Sequence, residues 1–358
     1  MNCDTAVRIG LVGCGGISHA HGRAAQATQD KIEIVSCCDI HDTAARGWAE
    51  QYGCDSFYTD YTEMICAEQL DAVLLATWPN QHREQIERCL DAGIRNILCE
   101  KALALTGTEA LEIRNLVQTH DAYLMEGFMY RHHPAMARID DILASGQLGP
   151  VDSVRASFSA FDAESETVDD DNRNWRQRKE CGGGIPYDFA CYCVDACNHF
   201  SGGLPTRVYC RGDVSERYET INRMHAFIEY DNGVVGTIES SKKADLSQRL
   251  EIVGAHGRLV LPISWTVYDE TAVEEQRCCG WIDYEHESHA VPRADSYQCQ
   301  LENFAAVIRR RVRPLMPLVE SVINTFTIEA LVTSLEQEEL VPLSLPSELF
   351  TSMKETEQ

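Results

Sequence analysis

Basic residues are scarce in this chain of 358 residues: 31 Lys and Arg stand against 56 Asp and Glu, a formal net charge of −25. A nucleic-acid binder needs a basic footprint, so no nucleic-acid partner is expected. The acidic surface also disfavours anionic membranes, and no apolar run reads as long enough to span a bilayer. The amino terminus lacks a charged-then-apolar export pattern, since strand character begins at Val7 or Arg8. The sixteen cysteines are scattered. They include no paired Cys-x-x-Cys sets at zinc spacing, so no metal centre is expected. A cytosolic chain keeps such thiols reduced, and a cytoplasmic location is expected. Cys37-Cys38 and Cys278-Cys279 have strand-like neighbours and read as core or edge packing. No internal repeat is visible. With so few cations, a phosphate-bearing ligand has to be held locally, by backbone amides and a helix end.

What is present is enough chain for two domains. Arg8–Val12 reads as a short buried strand, and Gly13-Cys14-Gly15-Gly16-Ile17-Ser18 follows it into a helical run. This is G-x-G-x-x-S, a near match to the dinucleotide fingerprint. The first glycine permits the tight turn, the second a close approach to a pyrophosphate, and the third position takes a small Ser. A second strand, Ile32–Cys38, ends at Asp39, where the spacing puts an acid on a ribose 2′-hydroxyl. A carboxylate there repels a 2′-phosphate. Ile40 and His41 follow it rather than an arginine, so NAD is expected over NADP. An Asp at a strand end also caps a following helix, and both roles are compatible.

Further βα alternation follows: strands near 56–58, 71–77, 94–98 and 122–125, with helices over about 43–52, 81–92 and 107–120. It predicts a doubly wound parallel sheet over residues 1–127. Asn80 and His82, after Pro79, read either as cofactor-facing residues or as a helix start. Glu100-Lys101 stands just past the carboxyl end of the strand 94–98, the edge at which open α/β sheets bind ligands. Lys101 there can bond a substrate hydroxyl and favour a nearby anion.

After Gly127 the pattern changes, and residues 128–358 read as an α+β domain with a mostly antiparallel, open-faced sheet. A helix reaches about Ser145. Strand patterns cover Val151–Phe161, Thr206–Val214, Met224–Tyr230, Val234–Ser240, Arg249–Val253 and Gly257–Leu261. Asp231-Asn232-Gly233 marks a hairpin turn. The acidic run 162–174 reads as a solvated lid or edge. Late helices are expected over 297–311 and 321–336. Between them all, Gly182-Gly183-Gly184 precedes a helix on which Asp188, Tyr192, Asp195 and His199 share one stripe. The first two can face a cleft between the domains, and the last two read as packing or interdomain bonds. The sheet's alternating faces exceed what the domain's helices can cover, so an apolar face is expected to carry a homo-oligomer, a dimer or tetramer.

These stretches together resemble the Gfo/Idh/MocA oxidoreductase family: GCGGIS at 13–18, Asp39, ATWPNQH at 76–82, AGIRNILCEKA at 92–102, MEGFMYRHHP at 125–134, NWR at 174–176 and GGGIPYDFACYCVD at 182–195. The resemblance is closest to the branch with glucose–fructose oxidoreductase, xylose dehydrogenases and dimeric dihydrodiol dehydrogenase, which carries Tyr where inositol dehydrogenases carry His. It implies a Rossmann domain holding NAD through Gly13, Gly15, Gly16, Ile17, Asp39, Thr77, Asn80, His82, Glu100 and Lys101. It implies a substrate that is a sugar, polyol or glycoside, with hydride passing between a carbinol carbon and the nicotinamide. Lys101 and Tyr192 are implied at the reacting oxygen. Tyr192 is the candidate base, its ordinary pKa of about 10 expected to fall beside Lys101. Asp188 is expected to orient a second hydroxyl, and Arg131 and Arg176 to touch substrate or cofactor. His132 and His133 read as cleft or surface residues. Where the family usually has Glu-Lys-Pro, this chain has Ala102, which is expected to loosen the backbone after Lys101. The alternatives are a hydrolase or lyase that oxidises its sugar transiently, and a non-catalytic NAD-binding sugar sensor.

Overall fold

The computed structural model describes residues 5–162, 167, 174–244, 247–266, 271–279, 284–310 and 312–351. Six short strands build the first sheet: β1 (Val7–Val12), β2 (Ile32–Cys38), β3 (Ser56–Tyr58), β4 (Ala72–Leu75), β5 (Asn96–Cys99) and β6 (Tyr123–Glu126). Their order is β3-β2-β1-β4-β5-β6, all parallel. The central strands are apolar on both faces, as a sheet covered by helices on both sides requires. Every residue of β4, Ala-Val-Leu-Leu, is buried. Helices α1 (Ser18–Ala27), α2 (Asp42–Tyr52), α3 (Tyr61–Ala67), α4 (His82–Asp91) and α5 (Gly107–Thr119) supply the cover. Strand order reverses between β1 and β4, so a crevice opens at their carboxyl ends. The loops after β1, β4 and β5 carry Gly13–Ile17, Thr77 and Lys101 to that crevice.

Helix α6 (Pro134–Ala144) leads into a second, nine-stranded sheet. Its strands are β7 (Val151–Ser159), β8 (Pro205–Val214), β9 (Ile221–Tyr230), β10 (Val235–Ser241), β11 (Ser247–Gly254), β12 (Gly257–Leu261), β13 (Thr271–Cys278), β14 (Tyr284–Val291) and β15 (Val341–Pro342). Their order is β14-β13-β12-β11-β7-β10-β9-β8-β15. Only the β7–β10 pair is parallel. The Asp231-Asn232-Gly233 turn joins β9 to β10, with Gly233 at φ +87°. Helix α7 (Cys191–Ser201) lies on β7 and β10. Two late helices return to the first half: α8 (Ser296–Ile308) packs on α1, and α9 (Leu318–Gln337) packs on α5 as well as on β8 and α7.

Several readings need correction. Strand β14 has no counterpart in the sequence reading, and β13 has only the strand-like neighbours of Cys278. Cys278 and Cys279 are exposed rather than packed, whereas Cys37 and Cys38 are core. Among the described residues α9 is one helix long and apolar enough to cross a membrane, but most of it is buried inside the protein. The outer face of the large sheet is not simply apolar. Glu251 there is buried beneath Arg155, Arg249 and Arg258, at 3.8, 3.4 and 3.2 Å, with Tyr209 and Phe227 beside this cluster in a shallow groove. Residues 163–166 and 168–173 of the acidic run lie outside the described residues.

Candidate active site

Two cavities meet at the crevice. One, of about 510 Å³, is lined by Gly13, Gly15, Asp39, His41, Thr77, Trp78 and Glu84, among others. Gly13 makes its tight turn possible: φ is +95°, and a Cβ would lie 2.6 Å from the Ala76 carbonyl. Gly15 and Gly16 face open space, with nothing within 4 Å of a Cβ position. Bare backbone and the start of α1 thus border a roomy cradle, which suits a pyrophosphate. Asp39 is held at the end of β2. Its Oδ2 accepts from Cys14 N and its Oδ1 from His41 N, both at 2.9 Å. Among the described residues, no lysine or arginine lines this cavity. The residues therefore fit a dinucleotide.

The second cavity, of about 530 Å³, shares Gly15, Thr77 and Trp78 with the first and runs on past Gly16, Ile17, Glu100 and Lys101 to Trp175, Arg176, Asp188 and Tyr192. Lys101 Nζ donates to the Asp188 carbonyl at 2.7 Å and stands 3.6 Å from Asp188 Oδ1. Asp188 sits in a π-helical turn, Pro186–Ala190, that opens α7. Such turns recur at functional sites. Its carboxylate is buried, yet three cations face it. Arg176 Nε donates to Oδ2 at 2.7 Å, and Lys242 Nζ lies 3.7 Å from the same oxygen. Burial opposes the charge, but Lys101, Arg176 and Lys242 outweigh it and hold the carboxyl below the ordinary aspartate range. Gly183 lets the 174–178 segment close over this end. A Cβ there would meet the carbonyls of Trp175, Arg178 and Arg176 at 2.6–2.8 Å.

Tyr192 lies among Phe128, Phe158, Tyr130 and Trp265, with ring centroids 5.4–6.0 Å away. Its hydroxyl donates to Met129 Sδ at 3.5 Å, and Lys101 Nζ stands 5.1 Å from its ring centroid. Burial pushes this phenol well above its ordinary pKa, the reverse of the sequence expectation. The ammonium is close, but removal of the phenol from water dominates.

Other expectations fail on geometry. Arg131 is buried away from the cleft. It bonds both Asp195 oxygens at 3.1 and 3.3 Å, Glu320 at 3.0 Å, His199 and the Leu315 carbonyl, so it has nothing to offer a substrate. Asp195 and His199 thus serve packing bonds inside the second half of the chain, Asp195 to Arg131 and Asn324 and His199 to Arg131, rather than bonds between the halves. His82 is also fully buried. Its Nδ1 faces the Ala102 and Leu103 carbonyls at 3.1 and 3.2 Å, and Nε2 the Thr77 carbonyl at 3.2 Å. It clamps the two cleft loops from below instead of facing the cofactor. Asn80 is exposed in a 3₁₀ turn and lines neither cavity. His132 is buried with both ring nitrogens unpartnered, and burial drives it down to about 3. His133 accepts from Ala135 N and caps α6. The Lys101–Ala102 peptide is cis. The segment after it is not loose, because Glu126 Oε1 accepts from Leu103 N at 2.8 Å in addition to the His82 bonds.

Sequence reasoning missed Lys242 and His21, whose ring meets the expected site residue Glu100 at 2.7 Å in a buried pair. No motif marks either; His21 reads as an ordinary residue of α1.

Comparison with known proteins agrees with this geometry. Residues 7–128 match the model of the oxidoreductase family with an NAD-binding Rossmann fold, and residues 136–260 match that of the GFO/IDH/MocA C-terminal domain. The chain is 29% identical over 332 residues to D-xylose 1-dehydrogenase (NADP(+)) 2 of Haloferax volcanii, covering 91% of this chain and 97% of that one. It also superposes on levoglucosan dehydrogenase in complex with NADH, with a TM-score of 0.84, 19% identity, and 96% and 100% of the two chains covered. KijD10, a 3-ketoreductase from Actinomadura kijaniata in complex with NADP and TDP-benzene, gives a TM-score of 0.81 at 22% identity, with 92% and 98% covered. With both halves matched and the glycine turn, Lys101, Asp188 and Tyr192 gathered at one crevice, this chain belongs to the Gfo/Idh/MocA family of oxidoreductases.

Proposed function

We propose that the protein is an NAD-dependent dehydrogenase acting on a sugar, polyol or glycoside. The observation that carries this reading is the continuity of the two cavities: the residues that fit a dinucleotide open directly onto Lys101, Asp188 and Tyr192. The xylose dehydrogenase relative supports a sugar-like substrate. The bound dinucleotide supplies the hydride acceptor. Asp39 and Glu84 support NAD over NADP, since a 2′-phosphate in that cavity meets two carboxylates and, among the described residues, no lysine or arginine.

Lys101 places its ammonium at the reacting oxygen and stabilises negative charge there. Tyr192 carries its proton in the free cleft, so it donates to a carbonyl oxygen in the reducing direction. In the oxidising direction it must first become a phenolate, a form that the Lys101 charge favours. Asp188 and Arg176 meet the substrate's other hydroxyls. The aromatic surround of Tyr192 excludes water from the reacting carbon. We further propose that the protein works in the cytoplasm, a reading supported by the free state of every described cysteine. It self-associates through the outer face of the large sheet, where Tyr209 and Phe227 are partly exposed.

The purified protein, incubated with NAD and a panel of monosaccharides, inositols and glycosides, is expected to produce NADH over many turnovers. Oxidation limited to one equivalent of bound cofactor, or sugar binding without NADH, contradicts the proposal. NADP at equal or better catalytic efficiency overturns the cofactor assignment alone.

A further inference from the structure

A lysine whose side chain is 2% exposed calls for an explanation, because Lys is almost never fully buried unless paired. Lys242 follows β10 at the end of the large sheet. Its backbone N–H donates to the Asn222 carbonyl and its carbonyl accepts from Asp162 N, both at 2.9 Å. Its only ion-pair partner within 4 Å among the described residues is Asp188, at 3.7 Å. Lys242 does not line either cavity at the crevice, so it does not touch a ligand there. Buried ion pairs of this kind rarely add net stability over apolar packing, because desolvating two charges offsets their attraction. Stability alone is therefore a poor reason for the pair.

We infer that Lys242 is a positioning residue of this site: from behind Asp188 it keeps that carboxylate charged and in place, so that Asp188 holds Lys101 at the reacting oxygen. The inference rests on the dehydrogenase reading for what Lys101 does, but not for the charge network itself. Asp188 sits between groups from four segments. Lys101 comes from the loop after β5 and Arg176 from the 174–178 segment. Lys242 comes from the end of β10, with Cys191 at the start of α7. The groups facing Lys242 are Asp188, Arg176 and Asp162. Arg176 is partly exposed, with 43% of its side chain accessible, and solvent screens it. Lys101 is the group being placed. Among the described residues Lys242 is the one fully enclosed cation behind the carboxylate, and its charge is screened least. Without it, a buried carboxylate keeps one partner that water screens and one that substrate must share, and it takes up a proton at higher pH.

The test is carboxyl-carbon NMR of aspartate-labelled protein without substrate, with the Asp188 signal assigned by its loss in Asp188→Asn. In the wild type Asp188 is expected to titrate below the ordinary aspartate range. In Lys242→Met it is expected to move up by about one pH unit or more, and the acid limb of kcat to move up with it. The NAD dissociation constant should stay unchanged. Lys242→Arg, which keeps the charge, should restore both titrations. An unmoved Asp188 in a folded Lys242→Met variant overturns the inference. Where that variant does not fold, a wild-type Asp188 titrating at or above the ordinary range overturns it. Because the titration needs no turnover, an Asp188 shift as expected in a protein that oxidises no sugar refutes the dehydrogenase reading and not the network.

Discussion

Lys101 and Tyr192 are proposed to meet one oxygen, one by charge and one by proton transfer, and Gly13–Ile17 and Asp39 are proposed to hold the cofactor. Replacing either should leave NAD binding nearly intact and lower turnover by about a hundredfold or more. The two losses should be non-additive, as for residues acting as one unit. Lys101→Met deletes the charge at constant length, and Tyr192→Phe deletes only the hydroxyl; steady-state kinetics with cofactor titration checks both. The pH profile gives a second check. Burial raises the Tyr192 phenol above its ordinary value, so the phenolate needed for oxidation becomes more populated as pH rises. Oxidative kcat should still be climbing at about pH 9, and Tyr192→Phe should flatten that rise. A plateau near neutrality in the wild type would place the base elsewhere. At Asp39, which both Cys14 N and His41 N hold in the cofactor cavity, Asp39→Ser should narrow the NAD preference without abolishing turnover, read as the ratio of kcat/KM for the two cofactors.

Strand β6 shows what an element end can store. Glu126 closes it, fully buried, with one oxygen on Leu103 N and the other unpartnered. Burial pushes its carboxyl up to about 8. In the unfolded chain it titrates near 4.5, so between these values the folded state holds a proton that the unfolded state lacks. Stability should therefore fall as pH rises from about 4.5 to about 8 and be flat above. Glu126→Gln mimics the protonated form and keeps an acceptor for Leu103 N. Its Tm should exceed the wild-type value at pH 8 and match it near pH 5; thermal melts across that range check the sign. The elements themselves were uneven in their legibility. Strands β1, β2 and β4 are apolar on both faces and bounded by glycine or acid, so their ends and the loops they carry could be read directly. Strands β13 and β14 could not. Tyr-Glu-His-Glu-Ser-His-Ala-Val exposes all of its first five residues, and an edge strand in water needs no apolar alternation. Lys101, Asp188 and Tyr192 were legible because motifs and helical spacing place them. Lys242 was not, since its meaning comes from a sheet end reaching Asp188 across 54 positions of sequence. Arg131 and His82 misled for the converse reason. A cation or imidazole inside a motif reads as a ligand contact, and only the fold shows that Asp195, Glu320 and four carbonyls have taken their bonds.

At the scale of the molecule, a chain of net charge −25 gathers Lys101, Arg176 and Lys242 around one buried carboxylate at the junction of its two sheets. The late helices α8 and α9 pack back onto α1 and α5 of the first half. The outer face of the large sheet, with Tyr209, Phe227 and the arginines over Glu251, is proposed to meet a second copy. Light scattering at micromolar concentration should give a dimer or tetramer, and Phe227→Asp should shift it toward monomer; a wild-type monomer contradicts this assembly. Hydride transfer from a carbinol carbon is proposed to cross the join of the two cavities. It is tested most directly by supplying the best sugar of the panel deuterated at its carbons, together with NAD, and reading the reduced nicotinamide by NMR. One deuterium is expected at the nicotinamide carbon that accepts hydride, and a carbonyl in the product. Reduced cofactor without deuterium, or product formed with no net reduction of NAD, would contradict it.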